Sequence, residues 1–240
     1  MVLFDRREKK RDAPEDVPAL LAKGDACISR GDFTSAIMWF DKALLKDAHA
    51  AHAYAGKGLA LQNMGRDREA LENFTRALEL DPGRADTWHK KGVILKALGK
   101  HGDALHAFDT ALAKDILGAD AWYDKAVTHG SIGEFQKAVE CFDKVLDIDP
   151  GHSDAWYNKG RALGKLGAFS GAIESFDHAL AIKPDNADAW YYKGISFVGL
   201  KKVPDAYACF EKAIKINPGH LKAYNGMQDL KGIMKQMRKK

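Results

Sequence analysis

The chain has 240 residues, of which 46% are hydrophobic and 29% are charged, with a net charge of +4. This composition suits a folded globular protein, and no apolar run approaches the roughly 18 residues of a transmembrane helix. The positive charge is uneven: residues 221–240 carry +5, residues 1–16 are neutral, and the body between them carries −1. A near-neutral body argues against a track for nucleic acid.

Residues 1–16 read MVLFDRREKKRDAPED and form a polar N-terminal extension. They contain no apolar segment of the kind found in secretory signals, which predicts a cytoplasmic protein. The three cysteines, Cys27, Cys141 and Cys209, stand far apart and have no metal-ligand or redox spacing. We therefore expect them to be reduced and buried.

A period of 34 residues governs the chain from Val17 to His220. It defines six copies, which we number internally from 1 to 34: 17–50, 51–84, 85–118, 119–152, 153–186 and 187–220. Position 4 is tryptophan in Trp88, Trp122, Trp156 and Trp190. Position 15 is glycine in five copies and Lys201 in the sixth. Alanine at position 20 and phenylalanine at position 24 recur in all six.

Each copy predicts two helices joined by a turn. Positions 4, 8 and 11 share one helical face, and positions 20, 24, 27 and 28 form a second stripe. Glycine at position 15 is typical of a helix C-terminus. One such hairpin cannot bury both of its faces, so the copies must stack on one another. We expect only helices, fourteen in number, with the four tryptophans largely buried between stacked copies.

Seven positions of the copy together resemble the tetratricopeptide repeat, and the resemblance covers residues 17–220 without an insertion. They are tryptophan at position 4, glycine at positions 8 and 15, alanine at positions 20 and 27, phenylalanine at position 24 and proline at position 32. The resemblance implies an all-α fold, a right-handed α-solenoid in which first helices line a concave groove, and a role in protein–protein interaction.

Residues 221–240 follow the last copy, and in a repeat array of this kind they predict a capping helix with a basic tail. Their apolar residues recur at helical spacing: Leu221, Tyr224, Met227, Leu230, Ile233, Met234 and Met237.

Two copies depart from the pattern at their ends. Position 32 is proline in Pro82, Pro150, Pro184 and Pro218, but Ala48 in the first copy and Ile116 in the third. Without proline the second helix can run on or bend. We therefore expect the junctions 46–50 and 114–118 to depart in geometry from the others.

In the family, positions 2, 5, 9, 12 and 13 of the first helix line the groove, and we take positions 2, 5 and 9 further. From the third copy onward they present an acidic, an aromatic and a mostly apolar row. These twelve residues are our predicted partner site: Asp86, His89, Val93, Asp120, Tyr123, Val127, Asp154, Tyr157, Arg161, Asp188, Tyr191 and Ile195. The acids predict a partner segment with alternating apolar and basic residues. We also expect the tyrosine rings to face the groove and not the stacked helices, so that replacing them leaves the fold intact. The alternative is that aspartate at position 2 only favours a helix N-terminus and that tyrosine at position 5 is common in the repeat.

Other site chemistries find little support. The family's carboxylate clamp needs bases at positions 2 and 5 that this chain lacks: Asn158 fits one slot, but Tyr123, Val127, Asp188 and Tyr192 occupy the others. Lysine fills position 7 in every copy, and its place beside the buried stripe favours a packing stem over a phosphate site. The histidines have no zinc spacing and no catalytic motif is present. We predict no enzyme, no cofactor and no metal.

The predicted function is a scaffold or adaptor that binds a peptide or helix of a partner protein in the groove. The alternatives are self-association through the terminal helices, and contact with nucleic acid through the basic C-terminal end. The near-neutral body disfavours the second alternative, and no membrane role is expected.

Overall fold

The structure, a computed structural model, describes residues 16–115 and 118–237. Within these ranges it is all-α, with thirteen helices and no strand. The expected number of fourteen is wrong, because six hairpins supply twelve helices and the C-terminal segment adds one. No helix in the same ranges is long and apolar enough to cross a membrane. The helices are α1 Val17–Ser29, α2 Phe33–Lys46, α3 Ala51–Asn63, α4 Asp67–Leu80, α5 Ala85–Ala97, α6 His101–Lys114, α7 Ala119–Ser131, α8 Phe135–Ile148, α9 Ser153–Lys165, α10 Phe169–Ile182, α11 Ala187–Gly199, α12 Val203–Ile216 and α13 Leu221–Met237.

The chain divides into two units, Met1–Lys100 and His101–Lys240. The first holds α1 to α5 and the second holds α6 to α13. The division falls inside the third copy, which the 34-residue period does not predict. Each unit is described by itself.

The first helices end in a left-handed residue at position 15. The five glycines there have φ between +73° and +83°, and a bond from Asp32 N to the Cys27 carbonyl, 2.9 Å long, closes the first of these turns. Glycine adopts this backbone at little cost, as the sequence predicts. Lys201 takes the same conformation in the sixth copy, with φ of 58°, although a side chain disfavours it.

Phenylalanine at position 24 forms the centre of each hairpin, and glycine at position 8 makes room for it. A Cβ at Gly58 would lie 2.8 Å from the Phe74 ring, and one at Gly160 would lie 2.8 Å from the Phe176 ring. The alanines at position 20 are fully buried. All three cysteines are free and buried, as expected.

Most of each tryptophan at position 4 is buried, and a part of it stays accessible. In the copies that follow a proline, the indole spans from the stack to the preceding turn. Trp156 Nε1 donates to the Pro150 carbonyl at 2.9 Å, and Trp190 Nε1 donates to the Pro184 carbonyl at 3.1 Å. The proline at position 32 thus supplies the acceptor for the next copy's tryptophan.

The lysine at position 7 covers the outer face of that tryptophan. Lys159 Nζ lies 5.0 Å from the Trp156 ring centroid and 2.6 Å from Asp143 Oδ1 of the preceding copy. Lys125 repeats the arrangement with Trp122 and Asp109. The contact between the lysine ammonium and the tryptophan ring is a cation–π interaction. The lysines therefore pack and pair between neighbouring copies, as the packing interpretation predicts.

The junction without proline at 46–50 matches those with proline, so its predicted departure is wrong. Helix α2 ends at the same repeat position as α4, and the next residues have closely similar dihedral angles, −140° and 99° at Asp47 against −139° and 88° at Asp81. In both turns the aspartate side chain accepts from a backbone amide two residues on, His49 N at 2.8 Å and Gly83 N at 3.0 Å. An Asx turn at position 31 therefore supports the junction of the first copy, which takes the common geometry without proline at position 32.

The second departing junction, 114–118, falls partly outside the described residues, because 116 and 117 are not among them. Its flanks keep the common pattern: Asp115 N bonds to the Ala111 carbonyl at 2.9 Å, and Gly118 N bonds to the Asp115 carbonyl at 3.3 Å. Helix α6 also ends at the repeat position at which the other second helices end.

Helix α13 packs against the last copy on a narrower face than predicted. Ala223 and Leu230 are buried, and a Cβ at Gly226 would lie 2.9 Å from the Phe210 ring. This close approach fixes the rotation of α13, which leaves Leu221, Tyr224 and Ile233 exposed. The side chain of Met237 and the basic tail Arg238–Lys240 lie outside the described residues.

Candidate partner-binding site

Helices α7, α9 and α11 are neighbours in the second unit, since α9 contacts both of the others. Position 12 of the first helix is glycine in two of these copies, Gly130 on α7 and Gly164 on α9. A Cβ at Gly164 would have nothing within 4 Å, and one at Gly130 would meet only Ala138 at 3.9 Å. The missing side chains leave a depression in the surface that these three helices form.

The depression is a cavity of about 580 Å³. Its volume lies in the range of small-molecule and side-chain pockets. Aromatic rings of the second helices reach its floor between small residues of the first helices. The residues that line it are Ala126, Val127, Gly130, Ser131, Phe135, Ala138, Phe142, Asn158, Gly160, Arg161, Ala162, Gly164, Lys165, Phe169, Phe176, Tyr192, Ile195 and Ser196.

The predicted position 9 residues of the second unit all line this cavity: Val127, Arg161 and Ile195. Arg161 is exposed, and its guanidinium carbon lies 5.6 Å from the Tyr157 ring centroid and 5.3 Å from that of Tyr192. A long contact of 3.4 Å from Arg161 Nη1 to Asn158 Oδ1 adds a polar partner. The two rings and the amide thus hold the cation in place at the cavity wall.

The predicted tyrosines at position 5 are absent from the lining of this cavity, and their rings also pack on the second helices. All three are half-buried. Each ring contacts the central phenylalanine of its own copy: Tyr123 lies 5.9 Å from Phe142, Tyr157 lies 6.1 Å from Phe176, and Tyr191 lies 5.7 Å from Phe210, between ring centroids.

Burial governs the chemistry of these phenols. It raises the pKa of Tyr157 to about 12, although the nearby Arg161 cation acts in the opposite direction. Burial also raises the pKa of Tyr123, whose hydroxyl accepts a hydrogen bond from Asn158 Nδ2 at 3.0 Å. The tyrosines therefore act as neutral packing and positioning groups at neutral pH.

The predicted aspartates at position 2 are exposed, and two of the three in this unit pair with residues of the chain. Asp154 Oδ1 lies 2.9 Å from Lys183 Nζ, and Asp188 Oδ1 lies 3.2 Å from His220 Nε2. Asp120 is exposed on the same edge. None of the three lines the cavity. The acidic row is therefore a partly neutralised edge at the N-terminal ends of the helices.

The predicted residues of the third copy belong to the first unit, on α5. Asp86 is exposed and its Oδ2 lies 3.5 Å from Arg84 Nη2, while His89 and Val93 are half-buried. They lie in a different unit from the other nine predicted residues, and each set is therefore considered within its own unit.

The cavity also includes five residues that are not among the twelve predicted ones: Gly130, Asn158, Gly164, Lys165 and Tyr192. Gly130, Gly164 and Lys165 occupy positions 12 and 13, which line the groove in the family, whereas Asn158 and Tyr192 occupy position 6. The two glycines carry a readable signal. Glycine at position 12 occurs only in copies four and five, and the other copies have Ile28, Gln62, Lys96 and Val198 there. A glycine that the repeat does not require, inside a helix, costs stability and indicates a local reason for its presence.

The described residues contain no group of three His, Cys, Asp or Glu side chains that could hold a metal ion. The polar groups of the cavity are hydroxyls, one amide, one guanidinium and one amine. This set can bind and orient a ligand by charge and hydrogen bonds.

Comparison with solved structures shows the same fold in proteins of distant sequence. YrrB, described as a TPR protein with an unusual peptide-binding site, is 22% identical with a TM-score of 0.73, over 79% of this chain and 97% of that one. MamA is 27% identical with a TM-score of 0.64, over 69% and 96%. PilF of Pseudomonas aeruginosa is 18% identical with a TM-score of 0.74, over 89% and 97%.

No curated protein sequence matches the chain significantly. Three family models, each described as tetratricopeptide repeat, do match it. One covers residues 129–191, the second covers 4–53 and 89–153, and the third covers 51–84 and 187–220. The matches, the 34-residue period and the helical hairpins agree, and the chain belongs to the tetratricopeptide repeat family.

Proposed function

We propose that this protein is an interaction scaffold that binds a segment of a partner protein in the cavity over α7, α9 and α11. The observation that carries the proposal is the cavity itself, which two non-repeating glycines open beside an arginine held between two rings. The repeat fold supports a role in protein interaction. The description of YrrB as peptide-binding supports a peptide as the form of the ligand.

The proposed site keeps part of the site predicted from the sequence. Val127, Arg161 and Ile195 contact the partner, and the exposed acids Asp120, Asp154 and Asp188 lie at the edge. The half-buried tyrosines Tyr123, Tyr157 and Tyr191 shape the wall from behind. Asp86, His89 and Val93 belong to the first unit and are not part of the proposed site.

Filling the cavity tests this proposal. Leucine at Gly164 has open space to occupy, since a Cβ there meets nothing within 4 Å. Random short peptides displayed on phage are selected for binding to the wild-type protein. The affinity of each selected peptide is then measured on wild type and on Gly164→Leu. We expect selected peptides that lose at least about tenfold in affinity on Gly164→Leu, because the added side chain takes the volume that the ligand needs.

The matched control is Gly232→Leu, a second helical glycine whose Cβ would have nothing within 4 Å and which lies on α13. Peptide binding should be the same on this variant as on wild type. Selected peptides that bind Gly164→Leu as tightly as wild type would contradict the proposed site.

Self-association is a second candidate, and the exposed apolar residues of α13 favour it. Leu221 is 73% exposed, Tyr224 is 48% exposed and Ile233 is 45% exposed. Exposed apolar side chains on this helix are available for contact with a second copy of the chain. Light scattering on the purified chain and on Leu221→Ser/Ile233→Ser decides: a dimer that dissociates in the variant supports this function, and a monomer in both rejects it.

The proposed role is binding and not catalysis, and the proposed compartment remains the cytoplasm. Contact with nucleic acid through the C-terminal end is supported only by the basic residues of the sequence, because the tail Arg238–Lys240 lies outside the described residues.

A further inference from the structure

The charges around the cavity are distributed unequally between acids and bases. Of the described residues that line it, only Arg161 and Lys165 are charged. We call these two residues the cation pair. The neighbouring carboxylates Asp154 and Asp188 lie outside the lining and have partners in Lys183 and His220.

The cation pair has no such partner. Within the described residues neither Arg161 nor Lys165 makes an ion pair with a carboxylate, whereas Lys125, Lys159 and Lys183 each do. Two unpaired cations beside an apolar floor of phenylalanine rings make the cavity positive and partly apolar. This sign is opposite to the one that the acidic row predicts.

The geometry of the cation pair also limits the ligand. Arg161 and Lys165 are four residues apart on α9, so their Cβ atoms lie about 6 Å apart on one face of the helix. Two carboxylates two residues apart on an extended strand are separated by a similar distance, since each residue advances about 3.3 Å. Two carboxylates at this spacing can therefore pair with both cations at once without drawing the two side chains together.

Arg161 is prepared for this role before any ligand arrives. The Tyr157 and Tyr192 rings lie on its guanidinium, at 5.6 Å and 5.3 Å, and leave its edge for a carboxylate. A side chain that is already ordered loses less conformational freedom on binding. An arginine in this setting can bind both oxygens of one carboxylate.

Resting on the proposed function, we infer that the cavity selects an acidic and apolar internal segment of a partner protein. Two carboxylate side chains about 6 Å apart pair with Arg161 and Lys165. A bulky apolar side chain of the same segment enters the cavity toward Phe135 and Phe169.

The same peptide selection tests this inference separately from the site. Peptides that bind wild type but not Gly164→Leu are sequenced, and a synthetic copy of the strongest, acetylated and amidated at its ends, is titrated by fluorescence. We expect paired Asp or Glu residues and one bulky apolar residue in the selected set. We expect Arg161→Gln to weaken binding at least about tenfold and Lys165→Gln to weaken it severalfold, since charged hydrogen bonds are lost.

The control cation is Lys144, an exposed lysine of α8 that does not line the cavity, and Lys144→Gln should leave affinity unchanged. Circular dichroism of each variant verifies the fold. Restoring binding by charge exchange, with Arg161→Glu paired to a peptide in which one acid is replaced by lysine, would show direct contact between the two groups.

The outcomes separate the two proposals. Peptides that depend on Gly164 but have no acidic preference, or that ignore Arg161→Gln, would overturn the inference and leave the proposed function standing. The same synthetic peptide is also titrated with its C-terminal carboxylate left free, and binding of that form alone would overturn the internal segment as the source. Failure of every peptide to depend on Gly164 would overturn the proposed function first.

Discussion

Two glycines one turn apart on α9 have opposite surroundings. A Cβ at Gly160, position 8 of its copy, would lie 2.8 Å from the buried Phe176 ring, whereas a Cβ at Gly164, position 12, would meet nothing within 4 Å. Glycine at position 8 recurs in five copies, but glycine at position 12 occurs in two neighbouring copies. The recurring residue therefore serves the packing of the hairpin, and the departing residue opens the cavity.

Placing the same side chain at both glycines should have the greatest consequence. Gly160→Leu should destabilise the protein by at least about 2 kcal/mol, because the added atoms overlap a ring that cannot move out of a close-packed core. Gly164→Leu should stabilise it by about 0.5–1 kcal/mol, since leucine is the better helix former and has room. Urea denaturation followed by circular dichroism measures both, and equal effects would remove the distinction between the two positions.

A smaller effect should separate the buried tyrosine row from a surface tyrosine. Tyr157→Ala should cost about 1–2 kcal/mol of folding free energy, because the half-buried ring contacts Phe176 and Arg161. Tyr224→Ala on α13, where the ring is 48% exposed, should change it by less than about 0.5 kcal/mol. Thermal and urea melts give both values, and a Tyr157→Ala variant as stable as wild type would restore the interpretation of a ring free in the groove.

The same ring predicts a pH dependence. Burial raises the pKa of Tyr157 from 10.0 to about 12, so the folded state holds its phenol proton more tightly than the unfolded state does. The resulting stabilisation is fully present below pH 10 and is lost as the pH rises toward about 12. Tyr157→Phe should therefore lose less stability over this range than wild type does. Parallel curves for the two proteins in alkaline urea titrations would show that Tyr157 is not shielded.

The smallest expected change concerns position 15, where the fold requires a left-handed residue and the sixth copy has lysine in place of glycine. Lys201 has φ of 58° where the other five copies place glycine. Lys201→Gly should stabilise the protein by about 0.5–1 kcal/mol, because a side chain is strained in this conformation. The reverse change, Gly133→Lys, should destabilise by a similar amount in urea unfolding. A Lys201→Gly variant of lower stability would mean that the lysine side chain makes a stabilising contact that outweighs the strain.

The fold can be predicted from the sequence because its signals repeat. The 34-residue period, the glycines at position 15 and the phenylalanines at position 24 indicate the family and the helical hairpins. The prediction for the junction 46–50 is wrong because a residue can mark a turn without being needed for it. Proline at position 32 marks the turn in four copies, but the first copy makes the same turn without it, with the Asp47 side chain accepting from His49 N.

The site is harder to predict because it depends on which atoms are missing. Position 9 lies at the cavity lining, since Val127, Arg161 and Ile195 all reach it. Position 5 lies behind it, because a tyrosine there is long enough to pack on the phenylalanine of the second helix. The pairing of Asp154 with Lys183 joins residues 29 apart, which repeat spacing alone does not predict. The sign of the local charge therefore follows only from the structure.

Binding of a partner segment in the cavity between α7, α9 and α11 is open to a direct check. Amide chemical-shift mapping of the labelled protein with a selected peptide reports the binding surface without a mutation. We predict that the shifts concentrate at Val127, Arg161, Gly164 and Ile195, with α13 unchanged. Shifts that concentrate on α13, or on the exposed faces of α8 and α10, would place the partner elsewhere and rule out the cavity as the site.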